Sequence, residues 1–400
     1  MLNSKTSLPA AAALPDELYT TPGGRATLAL ADLLRQRIAA AGPLGFAEFM
    51  AGALYHPELG YYARSSRQVG RGGDFFTSVS VGPLFGELLA RRFCAWWEGA
   101  GGPTPWRIIE SGAHDGTLAA DILNGLARLN PAALAALQYA IPEPLPQLRA
   151  AQMETLQPFA GQVSVVASAA ELAAAPLPGI AFGNEVLDAL PFHVVEWRLG
   201  RWQACKVGCT PDGGFCWVLG QLPADAAWVA ALGPEFPEGY RTEIRTNHAA
   251  FIRPLLAGLT QGRVLWLDYG FATPEYYHPA RTGGTLRTFS RHRAAADPLQ
   301  TPGEIDLTAH VDFTAVAQTC VALGCHVAGF RTQAAWLTAV ARPWLLAMED
   351  RPDARLLRQF QTLVHPAHLG ACFQVLEMSW RESPPATATA ADWHRLALPE

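Results

Sequence analysis

The run IIESGAHDG, residues 108–116, places a carboxylate and two glycines directly after a short apolar stretch. Glu110 ends that stretch, and Gly112, His114 and Gly116 form a G-x-H-x-G pattern. Glycines at a strand-to-helix turn let backbone N–H groups approach a ligand, and the following helix presents its positive N-terminal end. These residues are therefore a candidate cofactor site, and the alternative is an ordinary turn between a strand and a helix.

A second carboxylate, Glu143, follows the next predicted strand. In doubly wound folds, an acidic residue at this position binds the hydroxyl groups of a ribose. Glu143 lies 31 residues after Gly112, whereas the dinucleotide fingerprint places its acid about 20 residues on. Glu143 is a candidate ribose ligand, and the alternative is a solvated loop charge.

A third polar group, Asn184, Glu185 and Asp188, follows the apolar run that ends at Gly183. The spacing of the two acids predicts a short helical turn that presents both carboxylates on one face. Paired carboxylates suit a guanidinium, which stays cationic and bonds through a planar fork. We predict that the group holds an arginine side chain. The alternative is that Asn184 caps a helix and Asp188 completes a surface turn.

The apolar periodicity predicts the scaffold that positions these residues. It favours a helical N-terminal layer over 28–104 and a core over 105–382 in which strands alternate with helices, typical of a parallel sheet covered on both faces. Short alternating strands with glycine turns predict an antiparallel β insertion at about 192–245, and 1–27 and 383–400 are predicted tails. The predicted core strands are 106–109, 138–141, 163–167, 179–183, 263–270 and 372–380, and the predicted core helices are 117–129, 146–156 and 313–323.

Composition excludes several function classes. A net charge of −5 argues against a nucleic-acid partner. No apolar stretch reaches the roughly 20 residues of a membrane span, so no membrane insertion is expected. The seven cysteines form no C-x-x-C pair, and Cys205, Cys209 and Cys216 have no evident fourth ligand, so we expect reduced thiols and no metal. Together with the lack of an arginine-rich leader, this pattern favours a cytoplasmic location.

Longer strings in the chain resemble the MidA family of class I methyltransferases, which includes a mitochondrial complex I assembly factor. The resemblance covers nearly the whole chain, and its departure is His114, which stands where the motif has its middle glycine. The matching strings are FAEFM (46–50), LYHPELGYY (54–62), GDFFTS (73–78), NEVLDALP (184–191), DYG (268–270) and GEIDLTAHVDF (303–313).

The resemblance implies an α/β, Rossmann-like class I methyltransferase fold with a seven-stranded, mostly parallel sheet and S-adenosyl-L-methionine as cofactor. It also implies transfer of a methyl group to a protein side chain, arginine in the mitochondrial members. Its implied cofactor residues are Glu110, Gly112 and Gly116 with His114 in the same loop, Glu143 at the ribose, and Gly73, Asp74, Thr77 and Ser78 closing over the cofactor. Its implied acceptor residues are Asn184, Glu185 and Asp188.

Two other functions fit parts of the pattern. A non-catalytic assembly or binding protein could retain this fold with His114 in the cofactor loop, and a nicotinamide-dependent oxidoreductase could use the same glycine turn. The partner we expect is a protein substrate that presents an arginine, and a homodimer is compatible with the sequence. The loop that contains Arg281, Arg287, Arg291 and Arg293 predicts either contact with an acidic partner or a solvated loop.

Overall fold

The computed structural model describes residues 29–64, 77–224, 226–233, 235–290, 293–294, 297–348, 352–382 and 394–398. The predicted N-terminal tail, 1–27, and most of the predicted C-terminal tail lie outside these ranges. The helices are α1 (Leu30–Ala41), α2 (Phe46–Tyr55), α3 (Tyr61–Arg64), α4 (Ser78–Val81), α5 (Leu84–Gly99), α6 (Thr117–Leu129), α7 (Pro131–Ala135), α8 (Pro146–Thr155), α9 (His248–Ala257), α10 (Thr273–Tyr276), α11 (Phe313–Ala322), α12 (Gln333–Ala347) and α13 (Ala354–Val364). The strands are β1 (Leu44–Gly45), β2 (Trp106–Ser111), β3 (Leu137–Pro142), β4 (Val163–Val166), β5 (Leu177–Asn184), β6 (His193–Arg198), β7 (Arg201–Cys209), β8 (Phe215–Gly220), β9 (Arg241–Ile244), β10 (Leu259–Phe271), β11 (Arg287–Ser290), β12 (Arg293–Ala294), β13 (Asp306–Thr308), β14 (Val311–Asp312), β15 (Cys325–Thr332) and β16 (Phe373–Trp380).

The central sheet has the strand order β15-β16-β10-β5-β2-β3-β4, and the short strand β14 extends it beside β10. The pairs from β10 to β4 are parallel, and β16 runs antiparallel to both of its neighbours. Strand β2, which lies between β5 and β3, is buried along its whole length, as expected when helices cover both faces of a parallel sheet. The predicted seven-stranded, mostly parallel sheet is confirmed.

The register of this sheet brings the ends of its parallel strands together. Ser111 in β2 lies opposite Gly183 in β5, and Asn184 lies opposite Leu267 in β10. Because parallel strands all point the same way, the polar residues that follow them collect at one edge, where doubly wound folds bind ligands.

The predicted N-terminal layer, 28–104, divides between two cores. Helix α2 packs on the antiparallel insertion, where the rings of Phe46 and Phe192 lie 5.4 Å apart between centroids. Helix α5 instead contributes Leu88 and Phe93 to the core of the central sheet. The insertion itself consists of β6 to β9, and β1 pairs with β7. The N-terminal helices therefore connect the insertion to the core of the central sheet.

Strand β15 and helices α12 and α13 were not predicted from the sequence pattern. Helix α12 continues through Pro343, although an internal proline removes a hydrogen bond and disfavours a helix locally. Its residues Trp336, Leu337 and Trp344 are buried in the core of the central sheet. Tertiary burial of these large side chains offsets the local cost, which sequence periodicity does not register.

Candidate active site

The loop after β2 has the backbone shape that the glycine pattern predicted. Gly112 and Gly116 have φ angles of 74° and 85°, in the left-handed region that glycine adopts without strain. A Cβ atom added to Gly112 would lie 3.0 Å from Cγ2 of Val186. The glycine therefore allows close contact between this loop and the segment that follows β5.

His114 also has a positive φ angle, although it is not a glycine. Its φ of 47° lies in the left-handed region, which histidine enters more readily than most side chains. Its Nδ1 atom lies 3.6 Å from Oδ1 of Asp115, and that oxygen accepts the N–H of Thr117 at 3.0 Å. The side chain is thus held at the N-terminus of α6.

Glu110 is almost fully buried, with 2% of its surface exposed. The hydroxyl of Tyr139 donates to its Oε2 atom at 2.6 Å. Burial raises the pKa of Glu110 to about 8, and the Tyr139 hydrogen bond opposes the rise. The carboxyl is therefore protonated at neutral pH in the absence of a cation, and a cationic ligand group would favour its ionised form.

Glu143 is connected to the glycine loop by Gln152. The Glu143 carboxylate accepts the N–H of Leu145 at 2.9 Å, and burial raises its pKa to about 6. The fully buried Gln152 donates from Nε2 to the carbonyl oxygen of His114 at 2.8 Å and to Oε2 of Glu143 at 3.4 Å. Gln152 was not predicted from the sequence, because only the packing of α8 brings it between the two motifs.

The segment after β5 does not form the helical turn that we predicted for Glu185 and Asp188. Glu185 has a φ of 52°, which takes the chain out of the helical region. Oδ2 of Asp268, at the end of β10, accepts the N–H groups of Leu187 and Asp188 at 3.0 and 3.2 Å. Asp268 replaces the hydrogen bonds that a helix would have made, so the segment is an open turn shaped by a neighbouring strand.

Carboxyl groups concentrate in this turn. Tyr269 donates its hydroxyl proton to Oδ2 of the buried Asp188. The other oxygen, Oδ1, is buried and has no hydrogen-bond partner among the described residues. Burial and the nearby Asp188 raise the pKa of Glu185 to about 8. Burial also raises the pKa of Asp268, and the charges of Asp188 and Glu185 raise it further.

Arg245 holds this turn in place through hydrogen bonds from its guanidinium. It was not among the residues predicted from the sequence. Its guanidinium donates to the carbonyl oxygens of Asp188 at 2.5 Å and Leu190 at 3.2 Å. It also donates to those of Ala309 at 2.8 Å and His310 at 2.7 Å. A single side chain that follows β9 thus joins this turn, residues 184–190, which we call the acceptor turn, to the segment before β14. Arg245 belongs to no local sequence pattern, so its role could not be predicted from the sequence.

Two N-terminal tyrosines border the same turn. Tyr55 of α2 donates its hydroxyl proton to the carbonyl oxygen of Ala189 at 2.8 Å. Tyr62 of α3 donates to Oδ1 of Asp306 at 3.2 Å, and the two rings lie 5.4 Å apart between centroids. The N-terminal helices therefore supply one wall beside the carboxyl groups.

The four residues expected to close over the cofactor fall into two groups. Gly73 and Asp74 lie outside the described residues. Thr77 caps α4 by accepting the N–H of Ser80 at 3.2 Å. Ser78 is buried, its Oγ donates to Gln333 at 3.1 Å, and its backbone lowers the pKa of the nearby Glu185 carboxyl. Thr77 and Ser78 thus lie beside the acceptor turn, and closure over the cofactor stays a prediction.

The groups at this edge of the sheet fit S-adenosylmethionine, which offers a ribose diol, an amine and a positively charged sulfur. Buried acids lie at Glu110 and Glu143, and Ser111 Oγ and Gln152 Oε1 are buried without partners among the described residues. Hydroxyl and amine donors of a ligand would satisfy those acceptors. Within the same ranges, no group of three or more His, Cys, Asp or Glu side chains is arranged to hold a metal ion. No described helix combines the length and the apolar character that crossing a membrane requires.

Comparison with known proteins identifies the family. Residues 88–331 match a family model described as "Putative S-adenosyl-L-methionine-dependent methyltransferase". A protein of Drosophila melanogaster named "Protein arginine methyltransferase NDUFAF7 homolog, mitochondrial" is 30% identical, over 87% of this chain and 84% of that protein. The human protein "Protein arginine methyltransferase NDUFAF7, mitochondrial" is 28% identical, over 70% of this chain and 66% of that protein.

Solved structures agree with the sequence relatives. A protein described as "likely methyl transferase from Burkholderia thailandensis bound to S-adenosyl-homocysteine" is 33% identical and superposes with a TM-score of 0.77, covering 88% of this chain and 91% of that chain. S-adenosylhomocysteine is what S-adenosylmethionine becomes after it has given up its methyl group. The cofactor of this chain is therefore S-adenosyl-L-methionine, and the nicotinamide alternative is set aside.

The expected cytoplasmic location was wrong, because the curated relatives reported above are named as mitochondrial proteins. That expectation depended on the composition of the first residues and on cysteine usage. Neither property belongs to the folded core that the relatives share. The confirmed expectations are those that depend on this core: the fold, the cofactor and the enzyme class. The chain belongs to the MidA family of S-adenosyl-L-methionine-dependent methyltransferases.

Proposed function

We propose that this methyltransferase modifies an arginine side chain of a partner protein. Relatives over most of the chain are named protein arginine methyltransferases. The turn that contains Asn184, Glu185 and Asp188 supports the same acceptor, because it gathers carboxyl groups at the edge of the sheet next to the cofactor loop. Gly112 of that loop packs against Val186 of the turn. A homodimer stays a prediction.

One observation carries the proposal. Asp188 Oδ1 is buried and has no hydrogen-bond partner among the described residues, although its other oxygen accepts from Tyr269. An unpartnered buried carboxylate oxygen is costly, and a donor brought by the substrate would remove that cost. A guanidinium has five N–H donors in a planar fork and can bond Asp188 while a second N–H group reaches Glu185.

The proton chemistry follows from the pKa of Glu185. Without an acceptor, Glu185 holds a proton at neutral pH because burial and Asp188 raise its pKa to about 8. A bound guanidinium favours the ionised carboxylate, so acceptor binding releases that proton. When bound, S-adenosylmethionine supplies an electrophilic methyl group. Glu185 and Asp188 orient the guanidinium nitrogen, and the proton that this nitrogen loses passes to Glu185 and then to solvent.

Replacement of Glu185 tests this proposal. In Glu185→Gln we expect methyl transfer to fall about 100-fold or more, because one charged partner of the guanidinium is lost. S-adenosylhomocysteine affinity should be kept, since the cofactor loop is untouched. The measurement is mass spectrometry of methylarginine in the proteome of cells that express each variant, with calorimetric titration of S-adenosylhomocysteine on the purified proteins.

Glu154→Gln is the matched control, because it makes the same substitution at a glutamate that is exposed on α8. This control should leave methylarginine at the wild-type level. Unchanged methylarginine in Glu185→Gln would sink the assignment of the acceptor residues. Methylation confined to residues other than arginine in the wild type would refute the arginine acceptor.

A further inference from the structure

A polar cavity of about 550 Å³ lies in the loop between α10 and β11. Its charged lining comes from Glu275, His278, Arg281 and Arg287. Two arginines against one glutamate make the lining basic. This basic character stands out in a chain whose net charge is −5, so the cavity differs from the surface as a whole.

The loop that forms the cavity is held in place. Glu243 is buried, and its carboxylate accepts the N–H of Thr285 at 2.9 Å and the N–H of Leu286 at 3.1 Å. The hydroxyl of Thr285 also donates to it at 2.9 Å. The Arg241 N–H donates to the carbonyl oxygen of Thr282 at 2.8 Å. A loop fastened at these points presents its arginines in one arrangement, which lowers the entropic cost of binding.

The two arginines have unused capacity to bind an anion. Neither Arg281 nor Arg287 forms an ion pair within the described part of the chain. Arg281 Nε is buried without a hydrogen-bond partner among the same residues, and its guanidinium lies 4.3 Å from the ring centroid of Phe271. A partly desolvated guanidinium that lacks a carboxylate is suited to one brought by a ligand.

Aromatic contacts connect this cavity to the acceptor turn. Phe271 lies 5.1 Å from His310, and His310 lies 5.3 Å from Tyr269, between ring centroids. Tyr269 in turn donates its hydroxyl proton to Asp188. Burial, together with the charges of Arg287 and Arg281, lowers the pKa of His310 to about 4, which agrees with their proximity.

These contacts limit the distance between the two sites. The guanidinium of Arg281 lies within about 15 Å of the Tyr269 ring, which an extended chain crosses in about four or five residues. We propose that this cavity binds a carboxylate side chain of the protein substrate, at a residue within about five positions of the methylated arginine. The inference rests on the proposed function and names a feature of its substrate.

Peptide binding tests the inference without requiring turnover. The probes are fluorescein-labelled peptides that each contain a single arginine and a single glutamate. The glutamate occupies a different neighbouring position in each peptide, and each peptide has a partner in which glutamine replaces the glutamate. Anisotropy is measured on the full chain with S-adenosylhomocysteine present. We expect one or two glutamate positions to bind about five- to tenfold more tightly than their glutamine partners. The preference should shrink as salt is added, because salt screens charges.

The variants Arg281→Gln and Arg287→Gln should each reduce this ratio, and the double variant should bring it to about one. Arg201→Gln is the matched control, because Arg201 is exposed at the start of β7, outside the cavity, and should keep the wild-type ratio. Unchanged affinity for S-adenosylhomocysteine shows that each variant is folded. Equal affinity of the wild type for every glutamate and glutamine pair overturns the inference, as does a preference that survives in the double variant.

Methyl incorporation into the same peptides separates this inference from the proposed function. A glutamate preference in binding together with methylated arginine supports both. The same preference without arginine methylation supports the basic cavity and refutes the arginine acceptor. Arginine methylation with no charge preference in binding refutes the cavity and leaves the proposed function standing.

Discussion

Residues with positive φ shape the site at the level of single side chains. Gly112, His114 and Glu185 have φ angles of 74°, 47° and 52°. The first two turn the backbone between β2 and α6, and the third takes the chain after β5 out of a helical path. Non-glycine residues pay a conformational cost in this region, so the structure around His114 and Glu185 must hold them there. Asp115 contacts the His114 side chain, and Asn184 donates to the Glu185 carboxylate at 3.1 Å.

Gly112→Ala tests the glycine loop. A Cβ atom would be strained at this φ by about 1–2 kcal/mol and would lie 3.0 Å from Val186, so the loop or the acceptor turn must shift. We expect the affinity for S-adenosylhomocysteine to fall about tenfold, as measured by calorimetric titration. Gly161→Ala serves as control, because no atom lies within 4 Å of the Cβ position there. Equal affinity of both variants would show that the loop does not contact the cofactor.

At the level of elements, β9 is important because it positions Arg245, the residue that follows it. Arg245 donates to four carbonyl oxygens on two segments that are distant in sequence. One of these segments belongs to the acceptor turn, and the other, Ala309 and His310, precedes β14. The antiparallel insertion therefore does more than extend the fold, because its last strand delivers the side chain that positions Asp188.

We expect Arg245→Gln to lower kcat about 10- to 100-fold, since a small displacement of reacting groups has effects of this size. The charge of Arg245 opposes the rise in the pKa of Asp188, so its removal should also move the rise of kcat/KM to higher pH. Arg245→Lys should restore part of that shift, because it restores the positive charge.

Arg241→Gln is the control for this positioning role. Arg241 lies on the same strand and pairs with Glu196 at 2.7 Å, away from the acceptor turn. Its loss should change stability without moving the pH profile. If Arg245→Gln lowers the plateau of kcat/KM but leaves its pH dependence unchanged, Arg245 has only a structural role.

For the whole molecule, the main feature is an excess of buried carboxyl groups at one edge of the central sheet. Burial raises the pKa of both Glu110 and Glu185 to about 8, well above the roughly 4.3 of an exposed glutamate. Between these values the folded chain binds more protons than the unfolded chain. The free energy of unfolding therefore falls as pH rises towards 8 and levels off above it.

We expect the cofactor-free protein to lose stability between pH 6.5 and 8, with each such carboxyl contributing a slope of about 1.4 kcal/mol per pH unit. Glu110→Gln should give a shallower slope, because its amide cannot ionise and can still accept from Tyr139. Denaturant unfolding at several pH values measures this slope, with Glu154→Gln as the exposed control. Stability that rises over this interval would contradict the protonated state of the site.

The sequence by itself determined the elements with strong patterns and the motifs at their ends. Apolar alternation and periodicity predicted the parallel strands β2 to β5 and the helices α6, α8 and α11 within a few residues, because these properties are local. The glycine loop, Glu143 and the acids after Gly183 were found in the same way. The resemblance to the MidA family predicted the cofactor, whereas the spacing of the glycines alone fitted both a cofactor site and an ordinary turn.

Only the tertiary structure decided how these motifs meet. Asp268 overrides the helical turn expected at Glu185 and Asp188 by binding its N–H groups from a strand about 80 residues away in the chain. Arg245 binds backbone carbonyl oxygens, and Gln152 binds one carbonyl oxygen and the Glu143 carboxylate; these partners are distant in sequence and have no sequence signature. The buried, unpartnered oxygen of Asp188 exists only after packing removes it from water, because desolvation is a property of the folded chain and not of a residue type.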